Sequence, residues 1–186
     1  NDDGSMARLP ELIAFAQFHN LKIGAIDELI AYRRVTERLV EQVAEAPFDL
    51  RGGTGFRLVV FRNKLDGVEH VALVKGAISA DKPTLVRVHR IDFAADVIGG
   101  YGARAGMIAR AVAEIEAEGV GVIVLLRDLV ADAVSRRLKG EPLEFENDDI
   151  RRVIGLGSQI LRELGVGRMT VLAHAPQKLA GLDGYG

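Results

Sequence analysis

The sequence predicts an α/β protein in which a short helical lead-in precedes a mixed β-sheet with antiparallel entry strands and flanking helices. Helical spacing marks the first thirty or so residues, β-rich runs broken by turn-forming clusters come next, and the second half alternates helix and strand patterns.

Pro10 suits a first helical turn, where its missing N–H is no loss; Leu12, Ile13, Phe15, Ala16 and His19 repeat at helical spacing, and Asn20 is the expected stop. Asp27 is the expected cap of a second short helix running through Ile30 and Tyr32. Strands are expected over Arg38 to Ala46, Phe56 to Arg62 and His70 to Lys75, separated by Arg51-Gly52-Gly53 and by Asn63 to Gly67. Neighbours joined by such short turns pair antiparallel. Thr84 to Ile91 reads as a further strand. Ala103 to Glu118 is alanine-rich with apolar residues at 107, 108, 111, 112 and 115, one buried stripe of a helix. Val120 to Leu126 reads as a fully buried strand, Ile150 to Leu164 as a helix stopped by Gly165, and Met169 to Ala173 as the last strand. The glycines of Gly155-Leu156-Gly157-Ser158 are explained by tight packing against a neighbour.

Composition sets the outer bounds. With 186 residues, 48% hydrophobic and 27% charged, the chain is long enough for one well-buried core and short for two full domains. A net charge of −2 supplies no general field for nucleic acid, so an anion site must be built locally. No apolar run approaches the ~20 residues that cross a bilayer, which makes the cytoplasm the default compartment. Cysteine is absent altogether, which removes disulfides and thiolate chemistry together.

Several stretches, in order along nearly the whole chain, carry a resemblance. FRLVVFRN, EHVALVKGAI and LVRVH, then EAEGVGVIVLLRD and LGSQILRELGVGRMTVLAHAPQKLAGLDGYG, are similar to the GTP cyclohydrolase II domain of bifunctional riboflavin-biosynthesis proteins. Asn1 to Tyr32 resembles the C-terminal tail of the 3,4-dihydroxy-2-butanone 4-phosphate synthase domain that precedes it in those proteins. The resemblance implies residues 1–36 as synthase tail and linker, and 37–186 as a cyclohydrolase-II-like domain that lacks the family's C-terminal tail. It also implies dimerisation, and the synthase as fused or associated partner.

In that family a metal held by thiolates activates water against a purine carbon. The family pattern runs Arg-Val-His-Ser-Glu-Cys, a spacer, and Cys-Asp-Cys-Gly. Anchored on Arg87-Val88-His89, the alignment places Asp92, Ala103 and Ala105 at the thiolate positions. Alanine has no ligating atom. Asp92 offers one oxygen, but along a strand it faces away from His89, and its expected role is to cap the following helix. His19, His70 and His174 show no ligand spacing. No zinc and no other cofactor is expected.

The other clusters of the family pattern are also altered. Arg127 survives, followed by Asp128-Leu129-Val130-Ala131 in place of a glycine-rich loop, and the family's Leu-Thr-Asn-Asn-Pro-x-Lys becomes Leu172 to Lys178 with proline and lysine kept. A catalytic Asp-x-Arg pair is retained as Asp149 and Arg151 only if a residue is inserted before Gly155; otherwise Ile150 and Arg152 match it. Gly100-Tyr101-Gly102-Ala103-Arg104-Ala105-Gly106 imitates a dinucleotide fingerprint, but its spacing is off by one residue and it lies far from the preceding strand. Arg87, Arg127 and Lys178 are the candidates for holding nucleotide phosphates, because they fall in stretches that line the family's pocket and arginine's planar fork suits phosphate oxygens. The resulting expectation is a catalytically silent cyclohydrolase-II-like domain, structural or regulatory toward the synthase, with residual nucleotide binding. The alternative is a GTP cyclohydrolase II with a remodelled site.

Overall fold

The computed structural model describes residues 4–26, 28–29, 32–33, 37–99, 105–127, 132–139 and 147–173, with the side chains of 133, 137 and 147–153 outside the description. The chain divides into two compact units, Asn1–Glu37 and Arg38–Gly186.

In the first unit α1 spans Leu9–Phe18 with Pro10 in its first turn, and Glu11 reaches back to accept the Arg8 N–H at 2.6 Å. Asn20 ends it as expected, in the left-handed region at φ 52°. The Leu21 N–H donates to the Ala16 carbonyl and the Asn20 N–H to that of Gln17, so a Schellman closure satisfies the last carbonyls. Residues 26, 28–29 and 32–33 are helical, while Asp27 and Ile30, the expected cap and body of the second helix, lie outside the described residues.

The second unit is a six-stranded mixed sheet. β1 (Val40–Leu50), β2 (Gly53–Asn63) and β3 (Glu69–Lys75) form the antiparallel entry, with Phe48 opposite Phe56 and Phe61 opposite His70. β4 (Pro83–Arg90), α2 (Met107–Glu118), β5 (Gly121–Leu126), α3 (Ala133–Leu138), α4 (Asn147–Glu163) and β6 (Arg168–Val171) complete it. The strand order is β1-β2-β3-β5-β4-β6; β5 is antiparallel to β3 and parallel to β4, and β6 is parallel to β4.

Strand alternation divides the core between two faces. Val59, Ala72, Val74, Val86, Val122 and Val124 point to one side, against Leu156, Ile160 and Leu161 of α4. Phe56, Leu73 and Ile123 point to the other, against Ala111, Val112 and Ile115 of α2. The topology requires this division. From β4 to β5 the chain steps one way across the sheet and from β5 to β6 it steps back, so right-handed crossovers place their helices on opposite faces. Gly157 of α4 lets the helix lie close to β4: a Cβ there would stand 3.0 Å from Val88 Cγ1, the tight packing expected of that glycine.

Several boundaries differ from expectation. β1 continues past Pro47 to Leu50 because it is an edge strand whose outward amides need no partner, so proline does not end it. α2 starts at Met107 rather than Ala103: Gly106 stands at φ 70°, a left-handed break that restarts the chain, and Ala103 itself lies outside the described residues. α4 begins at Asn147, earlier than Ile150, and Gly165 closes it at φ 82°. β4 and β6 each run from one residue before the expected start and stop short of Ile91 and Ala173. Two elements are additional: α3, and a π-helical turn over Phe93–Val97 in which the Ile98 N–H donates to the Phe93 carbonyl. No helix of the described residues is long and apolar enough to cross a membrane.

Candidate functional site

The helix after β4, α2, lies on one face of the sheet, and α4, which follows β5 in the chain, lies on the other. β4 and β5 lie parallel and side by side, and the carboxyl ends of such strands are the usual place for a ligand in such sheets. Residues 91–97 and Arg127 stand at this end. Arg127 is exposed, and its backbone N–H donates to Nδ1 of the buried His70 at 3.2 Å.

On the α2 face the same end holds a buried polar cluster. His89 and Asp96 side chains are 1% and 3% exposed, and His89 Nε2 lies 2.7 Å from Asp96 Oδ2. That oxygen also accepts the Asp92 N–H at 2.6 Å, which ties the π turn back onto β4. Asp92 Oδ1 in turn accepts the N–H groups of Ala94 and Ala95, so the expected capping role is found, on the π turn rather than on α2.

Arg87 fans out from the other side of His89. Its Nη1 donates to the Leu172 carbonyl at 2.9 Å, and its Nη2 lies 3.0 Å from Met107 Sδ and 3.4 Å from His89 Nδ1. A histidine that donates Nε2–H to a carboxylate turns its Nδ1 lone pair toward the guanidinium, so one tautomer serves both neighbours. Beside Arg87 a cleft of about 120 Å³ is lined by Met107, Arg110, Ala111 and Glu114 of α2 and by Leu172 and Ala173 past β6. Its paired cations suit a small anion, and Glu114 opposes one.

The residues that the resemblance places at the family's metal positions do not fit a thiolate-bound zinc. The chain has no cysteine. Asp92 is committed to capping amides, Ala105 carries only a methyl group, Ala103 lies outside the described residues, and His89 and Asp96 bind each other. Among the described residues no group of three His, Asp or Glu side chains could hold a metal ion.

Of the candidate anion ligands, Arg87 is in the cleft and engaged with protein atoms, Arg127 is exposed just past β5 and outside the cleft lining, and Lys178 lies outside the described residues. Asp149, Arg151 and Arg152 fall in the first turns of α4, with their side chains outside the description. The segments 100–104, 128–131 and 174–186 also lie outside it, and with them most of the glycine motif and the retained proline. Asp96, Met107, Arg110 and Leu172 were not legible as site residues: Asp96 comes within reach of His89 only through the π turn.

A parallel strand pair beside a buried polar cluster, preceded by three antiparallel strands, defines a mixed α/β domain. The model of the GTP cyclohydrolase II family matches residues 41–186, and the chain belongs to that family. It is 43% identical to the monofunctional riboflavin biosynthesis protein RIBA 2, chloroplastic, of Arabidopsis thaliana, over all of this chain and 40% of that one. It is 40% identical to the 3,4-dihydroxy-2-butanone 4-phosphate synthase of Pseudomonas aeruginosa, over 100% of this chain and 52% of the relative. The crystal structure of RibBX, a two-domain 3,4-dihydroxy-2-butanone 4-phosphate synthase from A. baumannii, matches the whole chain and 49% of its own, with TM-score 0.65 and 30% identity. The chain thus spans about half the length, or less, of these relatives.

Proposed function

We propose that this chain is a catalytically silent GTP cyclohydrolase II domain of a riboflavin-biosynthesis protein, with a structural or regulatory role toward a fused 3,4-dihydroxy-2-butanone 4-phosphate synthase. The carrying observation is the fate of the family's metal positions: Asp92 spends its carboxylate on the amides of Ala94 and Ala95, in a chain with no thiolate at all. Without a metal-bound water the scaffold has no group to attack a purine carbon. The names of the Pseudomonas relative and of the A. baumannii structure support the reading, since both are named for the synthase.

In this reading residues 1–36 are the synthase's tail and linker, and 37–186 are the silent domain, which pairs as a two-fold dimer in the cytoplasm. Arg87, Arg127 and Lys178 hold a nucleotide or another phosphate without turnover. The arginine-lined cleft beside Met107 supports the anion-binding part.

The remodelled-cyclohydrolase reading draws on the family match itself. Elemental analysis and a GTP assay separate the two: the silent domain carries no stoichiometric zinc and releases no formate or pyrophosphate, with or without added zinc or magnesium. The regulatory role is tested on the complete fused protein against a version truncated before Glu37. Synthase rate and sedimentation should both change, and if neither does, the domain is vestigial.

A further inference from the structure

We propose that a protein-only polar node, Asp96–His89–Arg87, replaces the family's metal as the cross-link that fastens the carboxyl end of β4 to its surroundings. The inference rests on the metal-free reading above, and it assigns Asp96 as a positioning residue that acts on Arg87 through His89.

A metal ion in such a corner would join separate chain segments, and its loss would remove that tie. Here the same task is met by hydrogen bonds. Asp96 Oδ2 gathers His89 Nε2 and the Asp92 amide, holding the π turn to β4. His89 stands between Asp96 and Arg87, and the guanidinium carries the connection to Met107 at the start of α2 and to the Leu172 carbonyl past β6. Segments near 87, 96, 107 and 172 are thereby joined through one set of side chains. The arrangement parallels the carboxylate–histidine pairs that orient ligands around bound metals, with the arginine in the metal's place. Burial makes the node consequential: breaking a buried pair by deleting one partner strands the other in a medium that cannot solvate it.

The test uses the full chain, with thermal unfolding and amide hydrogen exchange as readouts. Asp96→Ala should lower Tm by about 10 °C. Exchange should speed at least tenfold at Asp92, whose amide bonds directly to Asp96, and also at Arg110 and Leu172, which do not touch it. Asp96→Asn keeps an oxygen at the same place and should restore most of the protection at Arg110 and Leu172. His89→Gln, which breaks the relay without removing the carboxylate, provides a second variant should Asp96→Ala fail to fold, and should loosen the same two amides. Acceleration confined to residues 92–96, or an unchanged Tm, would overturn the node. EDTA should leave the wild-type Tm unchanged; a large drop with chelator would instead defeat the metal-free reading, whatever the variants do.

Discussion

Lys75 of β3 and Glu116 of α2 meet with Nζ 2.5 Å from Oε2, and both also bind Thr54 at the start of β2: the lysine donates to its carbonyl at 2.7 Å and the carboxylate accepts its N–H at 3.2 Å. Lys75 Nζ also lies 5.1 Å from the centre of the Phe56 ring. The pair thus pins one end of the α2 face. The hydrogen bond from Lys75 holds the Glu116 carboxyl below its ordinary value, against a smaller opposing effect of desolvation.

A carboxyl whose folded value is depressed adds stability that is fully present above its unfolded value and is lost as pH falls through the folded one. Glu116→Gln should therefore melt below wild type at neutral pH, with the gap closing as the solution is acidified past the glutamate range. Paired melting curves from pH 7 to pH 3, values chosen to bracket an ordinary carboxyl at about 4.3, check this. A gap that widens on acidification would contradict it.

At Gly121 the limit is steric. A Cβ there would lie 2.8 Å from the Leu85 carbonyl oxygen and 2.6 Å from Ile115 Cγ1. The oxygen belongs to the neighbouring parallel strand and cannot move without breaking the ladder. Gly121→Ala should cost about 2 kcal/mol, in the range of overpacked cores, measured by urea unfolding. Stability equal to wild type would mean that β4 and β5 separate more easily than their register indicates.

The central strands were legible because β2, β3 and β5 are apolar runs with turn residues at their ends, and the α2 stripe at 107, 108, 111, 112 and 115 fills one face as its spacing indicates. The π turn was not, since Phe93–Val97 is too short to display any period. Gly106 could have been read as the true start of α2, but glycine within an alanine-rich run gives a weak signal beside four helical turns of good formers. In the site, Arg87 was singled out through the resemblance, which puts its stretch along the family's pocket, whereas its partners Met107 and Leu172 lie on other elements and become neighbours only when α2 and the chain past β6 close over β4.

The two cores should behave independently. Ile115 belongs to the α2 face and Ile160 to the α4 face, both fully buried, with the sheet between them. Ile115→Val and Ile160→Val should each cost about 1 kcal/mol. The double variant should show their sum to within about 0.5 kcal/mol, as for sites that share no contacts. A larger coupling, read from denaturant melts, would show that strain passes through β5.

Returning cysteine to the metal positions should not return activity. In the triple variant Asp92→Cys, Ala103→Cys, Ala105→Cys, the thiol at 92 can no longer cap Ala94 and Ala95, so the π turn loses an N-cap worth about 1 kcal/mol. His89 and Asp96 remain paired to each other. The resemblance also implies that the donors of the Leu-Thr-Asn-Asn segment are gone, with Ala173, His174 and Ala175 in their stead. Groups that act as a unit are non-additive, so repairing one cluster leaves the rate where the other losses set it. The variant is expected to bind zinc more tightly than the parent, melt a few degrees lower, and release no formate from GTP above the enzyme-free rate. Formate formed in step with zinc loading would show that thiolates were the only missing part, and that the remainder of the site is intact.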